Sequence, residues 1–192
     1  MKKILIINGH PEIKSLCTEI AMAYQKGAES AGVQCKVVHI CGLKFNPLLR
    51  LHNSPFFKLE PDIVEIQNEI KKADHLVLVY PNWWGTYPAL LKGFIDRVFI
   101  PGFAYKLRKD SLQMDKLLTG KSARVIVTMN STRFNYYFRY GQPGHITMKR
   151  NILGFCGFHP VRITTIGPVK TAPEYKIMNW LRDIEHLGKK LK

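Results

Sequence analysis

Acidic residues are scarce in this chain: 14 Asp and Glu stand against 29 Lys and Arg, for a formal net charge of +15. Such a balance invites a nucleic-acid reading. The cations are spread along the whole chain, however, with only short clusters such as Lys2-Lys3, Lys149-Arg150 and Lys189-Lys190. Zinc-finger spacing, an RNP-type motif and a basic zipper are all missing, so no nucleic-acid partner is expected. Long apolar runs are missing too. Stretches such as Ile4 to Ile7 and Leu76 to Tyr80 are far too short to span a bilayer, and no membrane span is expected. Met1-Lys2-Lys3 before that first run imitates the start of a signal peptide, but Asn8-Gly9-His10-Pro11 ends it and no cleavage-type segment follows. The four cysteines (Cys17, Cys35, Cys41, Cys156) form no Cys-x-x-Cys pair. That disfavours a zinc site and fits reduced thiols in a cytoplasmic protein.

What is present fits a cored globular chain: 192 residues, 46% hydrophobic and 11% aromatic. That length suits one domain spanning residues 1–192, able to bury roughly 70% of its unfolded surface. Five short runs rich in β-branched residues stand out, at 3–8, 34–40, 75–80, 123–129 and 161–167. Between them lie segments of helical period. Leu16, Ile20, Ala23 and Ala31 share a stripe that Gly32 ends. Ile63, Ile66 and Ile70 share another, after Pro61 and a candidate Asp62 cap with Glu65 three residues on. Leu90, Leu91, Phe94, Ile95 and Val98 follow Pro88, and residues 144–156 are a weaker helix. Thr171-Ala172-Pro173-Glu174 reads as a capping box before a helix carrying Met178, Leu181, Ile184, Leu187 and Leu191. Alternation of this kind predicts an α/β fold with a five-stranded parallel sheet covered on both faces. Residues 41–61 and 101–120 read as long irregular loops.

In an open parallel sheet, ligands bind outside the carboxyl ends of the strands. Three loops fall there. The first runs Gly9-His10-Pro11-Glu12-Ile13-Lys14-Ser15 into a helix. Its N–H groups can meet a phosphate, with His10, Lys14 and Ser15 adding donors or charge. Ser15 reads equally well as a plain N-cap. The loop is neither Walker A nor Gly-x-Gly-x-x-Gly, so a Rossmann dinucleotide site is disfavoured. The second loop sets Trp83 and Trp84 on a turn after Pro81, suited to a flat conjugated partner such as a flavin, nicotinamide or quinone. The alternative is that both indoles cover the sheet edge. The third, Thr128-Met129-Asn130-Ser131-Thr132-Arg133, can bond a polar ring edge, and the aromatic run 134–140 follows it. Those rings could instead form an interface or core patch.

The segment Tyr80-Pro81-Asn82-Trp83-Trp84-Gly85-Thr86, with Pro88 to Phe99 after it, resembles the signature of the NAD(P)H:quinone oxidoreductase family, as a short bacterial-type member. Gly9-His10-Pro11 through Ser15, Phe45-Asn46-Pro47, Pro101 to Tyr105 and Gly154-Phe155-Cys156-Gly157 resemble it as well, in the right order. The resemblance implies a flavodoxin-like doubly wound fold and a homodimer carrying FMN or FAD. It implies two-electron reduction of a quinone or similar planar acceptor by NAD(P)H, through ping-pong exchange of hydride. By position, His10, Ser15, Leu16 and Cys17 would meet the flavin phosphate and ribityl chain. Pro81, Asn82, Trp83 and Trp84 would flank the ring, and Thr128, Met129, Asn130 and Ser131 would meet its pyrimidine edge. Donors of the 82–85 loop, Gly85 included, would face negative charge on the reduced ring, and Tyr136 would stand near a flavin carbonyl as the catalytic residue. Cys17 replaces an asparagine of animal members, and Met129-Asn130-Ser131 replaces threonine-glycine-glycine. Their C-terminal extension is also missing, which favours FMN over FAD. The alternatives are a flavin-binding electron carrier or regulatory subunit without turnover, and a nitro, azo or free-flavin reductase.

Overall fold

The computed structural model of the protein describes residues 2–49, 58–108 and 113–190. In chain order it contains β1 (Lys3–Asn8), α1 (Leu16–Ser30), β2 (Gln34–His39), α2 (Pro61–Lys72), β3 (His75–Pro81) and α3 (Ala89–Val98). These are followed by β4 (Tyr105–Leu107), β5 (Met114–Lys116), β6 (Ser122–Thr128), α4 (Pro143–Ile146), β7 (Val161–Ile166) and α5 (Glu174–Lys189). The main sheet is five-stranded and parallel, in the order β2-β1-β3-β6-β7. All five expected strands form, with ends shifted by at most one residue.

Side chains of a strand alternate between faces, and here both faces are covered, which is why the strands are apolar throughout. Leu5, Ile7, Leu76, Leu78, Val125 and Val127 face α2, α3 and the helical segment 143–156. Ile4, Ile6, Val77, Val79 and Ile126 face α1 and α5 on the other side.

Local signals were kept in part. On α1 the buried face is Cys17, Ile20, Ala21, Tyr24 and Ala28, one position round from the expected stripe, while Ala31 is the exposed C-cap. Pro61 opens α2 with Glu60, not Asp62, in the cap position. The Asp62 and Glu60 carboxylates instead accept from the backbone N–H groups of Lys44 (2.7 Å) and Asn46 (3.0 Å), pinning the segment before the helix. No capping box forms at Thr171. That residue sits in a turn closed by Ala172 N–H to Val169 O (3.1 Å), so α5 begins only at Glu174. Leu191 lies outside the described residues, as do parts of both long loops. The 101–120 stretch is not wholly irregular, since β4 and β5 pair there as an antiparallel hairpin. The weak helix is real but unusual: α4 continues as π-helix over Thr147–Gly154, and Asn135–Arg139 forms a second π segment.

Candidate functional site

A cleft of about 190 Å³ opens at the carboxyl ends of β1, β3 and β6, where the strand order reverses direction. His10, Leu16 and Cys17 line one side, Pro81, Asn82 and Trp83 a second, and Thr128, Met129 and Asn130 a third.

Asn8, fully buried at the end of β1, organises the first wall. Its Oδ1 accepts from His10 N–H (3.0 Å), and its Nδ2 donates to Thr18 Oγ1 (2.9 Å) and His39 Nδ1 (3.1 Å). The His10 ring is fixed in turn. Its Nδ1 lies 3.0 Å from both the Glu12 N–H and the Glu12 carbonyl, so the Glu12 backbone engages that nitrogen in either tautomer, while Nε2 makes no hydrogen bond among the described residues. That ring meets the Trp83 indole edge to face, centroids 5.9 Å apart. Ser15 is the N-cap of α1: its hydroxyl accepts from Thr18 N–H and donates to Glu12 O (3.2 Å), and it does not line the cleft. Beyond it, the Leu16 and Cys17 N–H groups take no partner among the described residues. Unpaired first-turn donors are what an anion needs.

The second wall is a tight turn. Asn82 N–H donates to Thr128 O (2.7 Å), Thr86 N–H to Trp83 O (2.9 Å) and Trp83 N–H to Thr86 O (3.3 Å). Trp84 and Gly85 occupy its corners at φ 53° and 79°, the pattern of a type I′ turn, which normally carries Asn-Gly. A tryptophan in the left-handed region costs on the order of 1–2 kcal/mol. The kink separates the two indoles: Trp83 lines the cleft, whereas Trp84 is fully exposed and does not. Asn82 Oδ1 is buried without a hydrogen-bond partner.

On the third wall, Cys17 Sγ and Thr128 Oγ1 lie 3.5 Å apart. Burial pushes the Cys17 thiol up to about 11, against the opposing hydrogen bond from Thr128, so it stands in the cleft as a neutral, unreactive group. Asn130 Oδ1 accepts from Lys170 N–H (2.9 Å), and Met129 O from Val169 N–H (3.0 Å). Val169 thereby joins the lining. Sequence reasoning missed it by confining the site to the loops after three strands, although the loop after β7 opens on the same side. Ser131 turns its hydroxyl to Thr132 O (3.3 Å), away from the cleft.

Tyr136 and Gly85 belong to a neighbouring contact. The buried phenol donates to Gly85 O (2.8 Å) and accepts from Gly144 N–H (3.1 Å), so it ties the turn to the 143–156 segment without lining the cleft. Burial raises its pKa, against the hydrogen bonds from the Gly144 and His145 backbones. No group of three or more metal-ligating side chains occurs among the described residues.

The doubly wound order and a cleft at its switch point, built of donors and aromatic surface, define the flavodoxin-like class of α/β proteins. The chain belongs to the Flavodoxin_2 family, whose family model, described as a flavodoxin-like fold, matches residues 2–188. It is similar to a Haemophilus influenzae protein named as an uncharacterized NAD(P)H oxidoreductase, at 30% identity over 86% of this chain and 83% of that one. It is also similar to ribosyldihydronicotinamide dehydrogenase [quinone] of Rattus norvegicus, at 25% identity over 98% of this chain and 93% of that one. Among solved structures, Smu.1420 from Streptococcus mutans superposes with a TM-score of 0.84 at 28% identity, covering 98% and 99% of the two chains. The chain is an oxidoreductase of this family.

Proposed function

We propose that the protein is an FMN-dependent NAD(P)H:quinone oxidoreductase that uses one cleft in turn for the nicotinamide donor and the planar acceptor. The observation that carries this reading is the pairing of unspent groups around the cleft. The open Leu16 and Cys17 N–H groups and the free His10 Nε2 can hold a phosphate, and the orphaned Asn82 Oδ1 can accept from the edge of a polar ring. The cleft is smaller than the roughly 300–1,000 Å³ that encloses a whole ligand. A mononucleotide would therefore seat its phosphate and ribityl chain inside and lay its ring across the 83–86 turn.

When bound, the flavin supplies two-electron redox chemistry between nicotinamide and acceptor. The chain's own part is to orient and to stabilise charge. Trp83 offers an apolar wall, while the Trp84 and Gly85 N–H groups, unpartnered among the described residues, aim donors at negative charge on the ring. Neutral Cys17 and Thr128 close the floor without competing for electrons. Tyr136, buried behind the turn, fixes where those donors point. A homodimer is part of the proposal. Phe134, Phe138 and Tyr140 are 69%, 79% and 59% exposed, an apolar patch of the kind a partner copy covers. No described helix is long and apolar enough to cross a membrane. The four free cysteines fit a reducing cytoplasm.

The test is an FMN titration with flavin fluorescence as readout, run beside Asn82→Ala. The wild type should bind one FMN per chain. The variant should lose about tenfold in affinity, the worth of one hydrogen bond to a polar ring, with little change in melting temperature. Steady-state kinetics with NADH or NADPH and a benzoquinone should give parallel double-reciprocal lines. No flavin binding would end the proposal, and intersecting lines would end its shared-cleft part.

A further inference from the structure

Residues 116–173 contain no aspartate or glutamate and nine lysines and arginines. Within this acid-free third of the chain lies a second cavity of about 330 Å³, between β7 and the 143–156 segment. It shares no lining residue with the cleft above β1, β3 and β6. Tyr137, Gln142, His145, Lys149, Arg150 and Ile163 line it. His145 lies on α4 just before the π-helical stretch, and Lys149 and Arg150, four and five residues on, follow it on the same side and line the same cavity.

His145 is the informative member. It is 2% exposed, and neither ring nitrogen has a hydrogen-bond partner. Its ring is held edge-on by Tyr136 and Tyr137, at centroid distances of 4.7 and 5.5 Å. Burial drives the imidazole to its neutral form, which presents one N–H donor and one bare acceptor nitrogen. Leaving such a group unpaired in the interior is costly, so a buried orphan calls for a ligand or an ion. The other polar groups are unspent as well. Among the described residues the Tyr137 hydroxyl, the Gln142 amide and the Lys149 and Arg150 heads make no hydrogen bond or ion pair, and no carboxylate lines the cavity.

We propose that this cavity is a binding site for a small phosphate-bearing anion, inorganic phosphate or a phosphate monoester. Its cations match the charge, and Arg suits phosphate by its forked donors. A hydrogen phosphate oxygen can also donate to a bare imidazole nitrogen, which sulfate or chloride cannot.

The test is a titration of ¹⁵N-labelled protein with inorganic phosphate, and separately with glycerol 3-phosphate, at constant ionic strength. The His145 ring signals should shift saturably. The Lys149→Gln/Arg150→Gln double variant should weaken that binding by about tenfold or more, as loss of charge-assisted bonds predicts. A Lys106→Gln/Lys189→Gln control, at two lysines that do not line the cavity, should not. Tighter binding of the ester would identify the monoester as the source, and equal or tighter binding of phosphate the free ion. Equilibrium dialysis should show one phosphate site lost in the double variant, whose melting temperature checks that it folds. The proposal is overturned if His145 stays silent, or if the control pair weakens binding equally. A response at His10 alone overturns it while leaving the flavin reading intact. A response at His145 in protein that binds no FMN supports it and defeats the flavin reading.

Discussion

The Tyr136 hydroxyl donates to the Gly85 carbonyl at 2.8 Å, and this bond holds the corner of the Trp83–Trp84 turn against the helix behind it. The same oxygen accepts from Gly144 N–H, so this bond too runs to backbone. Tyr136→Phe removes both of these bonds, but Gly144 N–H keeps its direct bond to Gly85 O (3.0 Å), so the variant should cost about 0.5–1.5 kcal/mol in urea unfolding. Loosened turn donors should also slow flavin reduction, by about tenfold to a hundredfold on the scale of a lost oxyanion donor. Unchanged stability and rate in stopped-flow would strip the residue of its clamping role.

The two tryptophans should behave as opposites. Trp83→Ala is expected to weaken FMN binding by roughly tenfold, since it removes cleft wall and ring contact together. Trp84→Gly should leave FMN affinity within about twofold and raise stability by roughly 1 kcal/mol, by relieving the left-handed φ of 53°. The same FMN titration and a thermal melt decide both. Equal loss of affinity in the two variants would contradict the split.

Gly93 on α3 faces Pro47 so closely that an added Cβ would lie 2.5 Å from both the proline Cβ and its carbonyl oxygen. Gly93→Ala should therefore destabilise by about 1–3 kcal/mol or more. Gly42→Ala, where nothing stands within 4 Å, should change stability by less than about 1 kcal/mol. Comparable melting temperatures for the two variants would show that the helix simply shifts aside.

Acid should destabilise the protein before most carboxylates titrate. Burial lowers His145 to about 4, and burial with nearby Arg124, Lys2 and Arg162 lowers His75 to about 4. Above their ordinary value near 6.5 both states are neutral, and stability is flat in this respect. As pH falls from there toward about 4, only the unfolded chain takes up protons, and stability is lost. Each histidine should contribute roughly 2 kcal/mol of that loss between pH 7 and pH 5. Urea unfolding across this range should show it, with about half the slope removed in His75→Gln. A flat profile from pH 7 to pH 5 would mean that the two rings already protonate in the folded protein.

The fold was legible because both-sided burial writes itself into strands as unbroken apolar runs. Ile4 to Ile7 and Leu76 to Tyr80 could hardly be anything else. The first two loops announced themselves through residue types, histidine before a helix start and paired indoles after a strand. Which indole turns inward could not be read, because a φ of 53° at Trp84 is set by the turn and not by tryptophan's own preference. Val169 was invisible for a similar reason, as its place depends on backbone bonds to Met129. Asp62 and Thr171 carried capping signals that tertiary contacts overrode: Asp62 was diverted to Lys44, and Thr171 was taken up by a turn. The orphaned nitrogens of His145 leave no trace in sequence at all.

The left-handed corner between Trp83 and Trp84 lets adjacent positions answer to different selective demands. One indole is committed to the wall of the cleft, and its neighbour, wholly in water, is committed to nothing within the chain. Drift at position 84 can thus remodel what the protein presents to an incoming molecule while the grip beneath stays constant. A single covalent step along the backbone separates retention from recruitment, so a lineage could change its clientele without first giving up what it already holds.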